Sequence, residues 1–151
     1  PTVIKGNISE CKAFYGMTSH AHGVDADIQD EEDIYESCKW LKEMALNLGC
    51  VVVCSGKIDV ITDGKEVNLI SNGCDMLSRI TGTGCMLNVA IATFLANYSP
   101  LLACIKATCY YEVAAEKTEC SGPGTFHMHF MDEIYKLTSF DESLFKIEVL
   151  G

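Results

Sequence analysis

The chain has 151 residues, of which 48% are hydrophobic and 21% charged, and its formal net charge is −10. These values suit one domain over residues 1–151 and exclude a disordered or collagen-like chain, and no apolar run reaches the roughly 18 residues of a membrane-spanning helix. Because nucleic-acid binders normally carry a basic face, the acidic net charge argues against a nucleic-acid partner. Any anionic ligand must be held locally, by a helix N-terminus, a metal ion or a few placed cations.

Strand and helix patterns alternate from the start of the chain. The first half is predicted to contain a short strand, a helix capped by Asn7, a loop, an amphipathic helix ending at Gly49, a buried strand, and a hairpin about Asp63-Gly64. These elements are expected, in chain order, over residues 2–5, 8–15, 20–30, 31–48, 51–54, and 58–62 with 66–70.

The second half continues the alternation. It is predicted to contain a loop, a buried apolar helix, a helix that Ser99 caps and Pro100 begins, an amphipathic helix after a break, and a last strand. These elements are expected over residues 71–81, 85–97, 100 to about 117, 126–137 and 145–150. The methionines Met86, Met128 and Met131 are assigned to the core. Alternating strands and helices indicate a layered α/β fold.

Nine cysteines are present, an odd number with no C-x-x-C pair. A secreted disulfide framework would favour an even number in a shorter chain, so we expect buried thiols in a reducing cytoplasm. Most lie among apolar residues, as do Cys50, Cys54, Cys104 and Cys109. All four histidines are predicted to lie on the surface: His20, His22, His127 and His129.

The sharpest motif is Thr81-Gly82-Thr83-Gly84-Cys85, directly before the apolar helix. Glycines allow a tight turn and a close backbone approach, and the first N–H groups of a helix have no intrahelical partner. Gly82, Thr83 and Gly84 are therefore predicted to form an anion hole suited to a phosphate. The alternative is an ordinary glycine-rich helix start with Thr81 or Thr83 as its cap, and the motif alone does not separate the two.

Cys85 lies in the first turn of that helix, where the helix dipole favours a thiolate. It is a candidate base, nucleophile or hydroxyl-orienting group, and we name it as the catalytic residue because it adjoins the proposed anion hole. The alternative is a buried cysteine that packs into the core.

Three further candidates lie near strand ends. Glu10 could bind Mg²⁺ directly or through water, but the spacing from Asn7 also fits a capping box. Lys5 could meet a phosphate or could simply be solvated. Ser55 follows a buried strand, where α/β folds place ligands, although a tight turn into the hairpin explains it equally well.

Together these motifs resemble the hydroxyethylthiazole kinase family of the ribokinase-like superfamily. The likeness covers nearly the whole chain, and its motifs occur in the family's order: residues 2–7, 23–25, 55–56, 62–64, 72–73, 81–85 and 122–126, with the helix to 137. The signature at 81–85, with Cys85 where most ribokinase-like enzymes carry Asp, is specific to this branch. The resemblance implies a ribokinase-like α/β fold, with a mostly parallel sheet flanked by helices, and homotrimers with sites between neighbouring subunits.

The resemblance also implies a reaction. ATP, with Mg²⁺, would phosphorylate the hydroxyl of 4-methyl-5-(2-hydroxyethyl)thiazole, a salvage step toward thiamine. Each candidate falls on a family position: Lys5 and Ser55 on ATP binding, Gly82 on a substrate contact, Thr83 and Gly84 on the amides that cradle the phosphate, Cys85 beside the acceptor hydroxyl, and Glu10 on the metal site.

The chain departs from the family pattern at two residues and in its length. The family usually has Arg, a planar fork, where this chain has the point charge of Lys5, and it usually has Thr where Ser55 keeps a hydroxyl. The family's N-terminal part is absent, so we expect residues 1–151 to be the C-terminal portion of a kinase domain and a poor catalyst alone.

Three alternatives stay open at this stage. Another small-alcohol kinase, such as a hydroxymethylpyrimidine kinase, would use the same loop. A non-catalytic nucleotide-binding module would keep the fold without turnover. A redox or zinc protein rests on the number of cysteines alone.

Overall fold

The computed structural model describes residues 1–17, 34–136 and 141–150. Its elements follow the alternating order that the sequence predicts. They are β1 (Val3–Asn7), α1 (Ile8–Tyr15), α2 (Ile34–Leu48), β2 (Val51–Ser55), β3 (Asp59–Thr62), β4 (Val67–Ile70), α3 (Thr83–Phe94), α4 (Pro100–Lys117), α5 (Pro123–Tyr135) and β5 (Ile147–Leu150). The predicted loop at 20–30, His20, His22 and Leu137 lie outside the described residues.

A five-stranded sheet with the order β1-β2-β3-β4-β5 confirms the α/β class. Strands β1 and β2 run parallel, with Val3 opposite Val51 and Asn7 opposite Ser55, whereas β2 and β3 are antiparallel. The connections at 56–58 and 63–66 are too short for the crossover that parallel neighbours need. The sheet is therefore mixed, where the resemblance implied a mostly parallel one.

Contacts divide the chain into two compact units, Pro1–Leu69 with Val149–Gly151, and Ile70–Glu148. In the first unit, helices α1 and α2 pack on the strands β1, β2 and β3. The face of α2 that meets the sheet is fully buried at Leu41, Met44 and Ala45, as its helical spacing predicts. Gly49, at φ +62°, ends this helix at the predicted position.

In the second unit, α4 is the central helix, and both α3 and α5 pack against it. Ser99 is the N-cap residue of α4 and Pro100 begins the helix, as predicted, although the Ser99 side chain makes no capping hydrogen bond. An aromatic cluster joins α4 to α5, with the rings of Tyr111 and Phe130 edge to face at 5.0 Å and those of Phe126 and Phe130 stacked at 5.2 Å.

The segment 71–81, predicted as loop, contains a 3-10 turn at Asp75–Arg79. Its beginning is anchored by the buried Asn72, which donates to the carbonyl of Leu144 at 3.0 Å and accepts from the N–H of Lys146 at 2.7 Å. The N–H of Gly73 donates to the carboxylate of Glu116 at 3.0 Å. Only a short 3-10 helix therefore lies between a fixed anchor and the glycine motif.

Two predictions about burial are wrong. Only Leu87 and Ile91 of α3 are buried, and Val89 is 67% exposed, because α3 packs mainly on α4 among the described elements. Met128 and Met131 of α5 are also exposed. Phe126 and Phe130, one helical turn apart, bury a different face of that helix.

All nine cysteines are free thiols. The prediction of buried thiols is confirmed for most of them, whereas Cys74 is half-buried and two are exposed, Cys85 and Cys120. None of the helices in the described ranges is both long and apolar enough to cross a bilayer.

Candidate functional site

The motif at 81–85 forms a sharp turn into α3. Gly82 is the N-cap residue and lies at φ +99°, in the left-handed region that L side chains rarely adopt. A Cβ built there would meet nothing within 4 Å, so the backbone conformation, and not space, requires glycine. The turn thus depends on Gly82 for a physical reason that the sequence alone only suggests.

No side chain among the described residues caps α3. The bond from the N–H of Met86 to the carbonyl of Gly82, at 2.9 Å, opens the helical ladder. The N–H groups of Thr83, Gly84 and Cys85 precede that bond, at the positive end of the helix dipole. This is the arrangement that favours an anion, and the alternative of a threonine cap is wrong.

Thr83 is held from two sides. Its hydroxyl turns back to the carbonyls of Leu77, at 3.0 Å, and Ile80, at 3.3 Å. Its own carbonyl accepts a hydrogen bond from the hydroxyl of Tyr111, on α4, at 2.8 Å. The side chain that could have capped the helix is instead used to fix the shape of the loop.

The loop is accessible. Thr81, Gly82 and Cys85 are exposed, and Thr83 and Gly84 are half-buried. The alternative of a core cysteine at position 85 is therefore wrong, and the thiol can be reached by a ligand that approaches the start of α3. Glycine turn, helix start and thiol lie together in the second unit.

The other candidates lie in the first unit, on the parallel strands β1 and β2 and on α1. Lys5 is half-buried within β1. Ser55, the last residue of β2, lies opposite Asn7, and its hydroxyl lies 3.4 Å from the carbonyl of Gly6. The ends of two adjacent parallel strands are a usual location for ligands in α/β sheets.

Beneath these ends lies a pair of thiols. Cys11, on α1, and Cys54, on β2, are both buried and belong to one core cluster. The hydrogen bond that Cys54 donates to Cys11, followed by burial, raises the pKa of Cys54 far above its ordinary value. Cys54 is therefore a neutral core thiol.

Glu10 makes the capping box that the sequence left as an alternative. Its Oε2 accepts from the N–H of Asn7 at 2.8 Å, and the Asn7 side chain accepts from the N–H of Glu10 at 2.9 Å. A Cβ on Gly6 would meet the Glu10 Cβ at 3.0 Å, so glycine lets α1 approach the strand this closely. The carboxylate is nevertheless exposed.

The arrangement of the described carboxylates indicates what kind of Mg²⁺ site they could form. Among the residues that the structure describes, no group of three or more His, Cys, Asp or Glu side chains is arranged to hold a metal ion, which also gives the zinc hypothesis no ligand set. Mg²⁺ usually keeps several waters and is bound by one or two carboxylates together with substrate phosphates. The exposed Glu10 fits an ion of that kind, which arrives with a phosphate.

The described histidines are surface residues, as predicted. His127 and His129 are exposed on α5, and the Nδ1 of His129 lies 2.7 Å from the carbonyl oxygen of Glu119. Neither adds a ligand to the loop at 81–85.

Tyr111 is the residue that sequence reasoning missed. It lies 28 positions beyond Thr83, on a helix whose periodicity predicts only core packing. Its ring does pack in the core, but its hydroxyl reaches the loop. A buried tyrosine needs a partner for its hydroxyl, and that requirement is the one signal that could have drawn attention to it.

Comparison with known proteins identifies the family. The family model described as the hydroxyethylthiazole kinase family matches residues 1–140. The chain belongs to the hydroxyethylthiazole kinase family. This membership confirms the resemblance carried by the motifs.

Relatives within the family extend this result. The chain is similar to Hydroxyethylthiazole kinase 2 of Clostridium botulinum strain 657, with 38% identity over 91% of this chain and 54% of that protein. It is also similar to the hydroxyethylthiazole kinase of Pyrococcus furiosus, with 38% identity over 99% of this chain and 56% of that protein. The chain therefore spans about half the length of the relatives that it matches.

A solved structure of a hydroxyethylthiazole kinase protein from Pyrococcus horikoshii OT3 has the same fold over this region. It superposes with a TM-score of 0.81 at 29% sequence identity, covering 99% of this chain and 55% of that one. The α/β architecture described above is thus that of a hydroxyethylthiazole kinase.

Proposed function

We propose that the protein phosphorylates the primary hydroxyl of 4-methyl-5-(2-hydroxyethyl)thiazole at the expense of ATP, a salvage step toward thiamine. One observation carries the proposal: in a chain of this family, the start of α3 presents an exposed glycine turn, uncapped by any described side chain, that ends in the exposed Cys85. The names of the relatives support the same substrate.

Phosphoryl transfer needs little covalent help from a protein; it needs positioning and stabilisation of charge on the moving oxygens. The N–H groups of Thr83 and Gly84, at the positive end of the α3 dipole, would hold the transferring phosphate. Gly82 would contact the thiazole. These roles suit an acidic chain, because they supply a positive potential without clustered basic side chains.

Cys85 would lie beside the acceptor hydroxyl, orienting it and taking its proton late in the transfer. Its exposed position in the first turn of α3, directly after the glycine turn, supports this role. The proton moves from the alcohol oxygen to the sulfur as the oxygen bonds to the γ-phosphate and ADP leaves.

Lys5 and Ser55 would bind ATP. Lys5 lies within β1 and Ser55 ends its parallel neighbour β2, and adjacent parallel strands are a usual location for ligands in α/β sheets, which supports this assignment. Glu10 would hold Mg²⁺ together with those oxygens, and the ion, when bound, neutralises phosphate charge. In the capping box Glu10 uses Oε2 to accept from the N–H of Asn7, and its exposed carboxylate supports the assignment.

The thiazole alcohol and ATP are the proposed partners, with no nucleic acid and no membrane. We also propose that the protein works in the cytoplasm as a homotrimer. Sedimentation equilibrium in the absence and presence of ATP tests the assembly, and a monomer under both conditions would contradict it.

The test of the function is a substrate panel. The chain is incubated with Mg·ATP and, separately, with the thiazole alcohol and with hydroxymethylpyrimidine, and each phosphorylated product is measured by mass spectrometry. We expect product from the thiazole alcohol. Product from the pyrimidine alone would overturn the substrate assignment, and absence of both products would overturn the kinase activity of this chain.

Calorimetry with Mg·ATP separates the remaining alternative. Binding without turnover on the panel would support a non-catalytic nucleotide-binding module, and turnover excludes it. The family's name does not favour the pyrimidine kinase.

A further inference from the structure

We propose that Asp59 is a positioning residue for ATP binding: its buried side chain holds the turn after β2 in the shape that presents the Ser55 hydroxyl to the nucleotide. The inference rests on the proposed function, because that function assigns Ser55 to ATP binding. Its basis is the hydrogen bond of 2.8 Å that the N–H of Gly56 donates to Oδ1 of Asp59.

Strand register brings Asp59 to the same face of the sheet as the proposed ATP-binding residues. Lys5 lies opposite Val53, and Val53 lies opposite Ile61, so these three side chains share one face. Ser55 comes two residues after Val53, and Asp59 comes two residues before Ile61. Because side chains alternate along a strand, Ser55 and Asp59 fall on that face as well. Three adjacent strands thus contribute Lys5, Ser55 and Asp59 to one surface.

The bond to Asp59 constrains the backbone of Ser55 from one side. The carbonyl of Ser55 and the N–H of Gly56 belong to one planar trans peptide, so a fixed N–H direction also fixes the rotation about the Cα–C bond of Ser55. From the other side Ser55 is held by the ladder, where it lies opposite Asn7 of β1. The Cα–Cβ bond of Ser55 therefore points in a defined direction, and its hydroxyl starts from a defined place.

Asp59 acts through Ser55 and not on the nucleotide itself. Its side chain is 2% exposed, so a ligand that approaches from solvent does not reach the carboxyl group. Aspartate side chains readily accept N–H groups of a neighbouring turn, and only three residues separate the donor Gly56 from this acceptor. The side chain thus closes the turn locally, next to the residue that it is proposed to position.

The hairpin supplies a matched control at the other end of β3. Asp63 directly follows this strand and, like Asp59, accepts backbone N–H groups of a turn: those of Lys65, at 2.8 Å, and Glu66, at 3.1 Å. Asp59→Ala and Asp63→Ala each remove one carboxyl acceptor from a turn that borders β3. A general loosening of the hairpin would affect ATP binding in both variants, whereas a positioning role affects it only in Asp59→Ala.

The experiment has a spectroscopic and a kinetic part, with folding of each variant checked by circular dichroism. In the 151-residue chain without ligand, Asp59→Ala is expected to shift the NMR signals of the Gly56 amide and the Ser55 Cβ, and Asp63→Ala to leave both in place. In the thiazole assay, Asp59→Ala should raise the KM for Mg·ATP about three- to ten-fold, the factor that corresponds to one hydrogen bond, with kcat changed less than about two-fold. Asp59→Asn keeps an acceptor oxygen and should restore that KM to within about two-fold of the wild type.

A KM for Mg·ATP that is unchanged in Asp59→Ala, or raised equally in Asp63→Ala, would overturn the inference while leaving the kinase function intact. If the wild type itself does not turn over, the proposed function fails instead, and the same variants are compared by calorimetric titration with Mg·ATP. A loss of affinity of three-fold or more that is confined to Asp59→Ala would then support the inference. Equal affinities, or no binding to the wild type, would overturn it.

If Asp59→Ala does not fold, the wild type decides. Saturating Mg·ATP should move the NMR signal of the Ser55 Cβ, and the scalar coupling across the hydrogen bond from the Gly56 nitrogen to the Asp59 carboxyl carbon should persist. An unmoved Ser55 signal would overturn the inference. Loss of the coupling would do the same, because it would show that the nucleotide replaces Asp59 at the Gly56 N–H.

Discussion

The backbone angle φ distinguishes two glycines, Gly82 and Gly122, that occupy equivalent positions in the sequence, directly before a helix. Gly82 and Gly122 are both N-cap residues, and a Cβ would meet nothing within 4 Å at either. They differ in φ, which is +99° at Gly82 and 174° at Gly122. The second value is extended backbone that any residue adopts, so only Gly82 needs the freedom of glycine.

Replacement of Gly82 tests this difference. Gly82→Ala should lower the free energy of unfolding by about 1–2 kcal/mol, the cost of a left-handed alanine, and should lower phosphate transfer because the turn moves. Gly122→Ala should lower the free energy of unfolding less than Gly82→Ala does, because alanine adopts the extended backbone at position 122 without strain. Urea denaturation measures both. Equal stability of the two variants would contradict the account of the turn.

The sequence predicted the accessible residues of the loop better than the residue that holds it. Gly82, Thr83, Gly84 and Cys85 stand next to one another, so a local motif identifies them. Tyr111 reaches the loop only because α4 packs beside α3, and that packing is a tertiary fact with no local pattern. Local patterns in a single sequence do not predict contacts of this kind, which join residues far apart in the chain.

At the scale of elements, the junction between β1 and α1 combines a structural and a proposed functional role. Asn7 and Glu10 exchange the two hydrogen bonds of a capping box, and Glu10 is also the candidate for Mg²⁺. The two roles need different properties of the side chain. The capping box needs an acceptor atom, whereas the metal needs a negative charge.

Two substitutions separate these roles. Glu10→Gln keeps an acceptor, so it should leave the unfolding free energy within about 0.5 kcal/mol of the wild type but weaken Mg·ATP binding about ten-fold. Asn7→Ala should lower the unfolding free energy by about 1 kcal/mol and change binding much less. Denaturation and calorimetry provide the two measurements.

If Glu10→Gln binds Mg·ATP as tightly as the wild type does, Glu10 is not part of the proposed metal site. A loss of stability in that variant as large as that of Asn7→Ala would show, in addition, that the amide cannot replace the carboxylate in the cap.

Element types and boundaries were largely predictable, because apolar spacing and cap residues are local signals. The sequence placed α1, α2, β2 and the hairpin within a few residues of their observed bounds. It failed on the burial of α3, since a helix that is apolar on all sides predicts neighbours on all sides. In the described residues α3 has α4 as its main neighbour, and Val89 remains exposed.

At the scale of the whole molecule, the chain belongs to the hydroxyethylthiazole kinase family and spans about half the length of the relatives that it matches. The candidate residues fall into two groups: Lys5, Glu10 and Ser55 in the first unit, and the motif at 81–85 in the second. The sequence assigned both groups through motif order.

The most direct test of the central claim compares two exposed cysteines of the second unit. Cys85 lies in the loop and Cys120 does not, and both are free thiols. The measurement is the rate at which γ-phosphate is transferred from Mg·ATP to the thiazole alcohol, with folding of each variant checked by circular dichroism. We predict a loss of about 100-fold or more in Cys85→Ala, as for removal of a proton acceptor, and a change within two-fold in Cys120→Ala. Equal rates in the two variants would contradict the claim that the start of α3 carries the reaction.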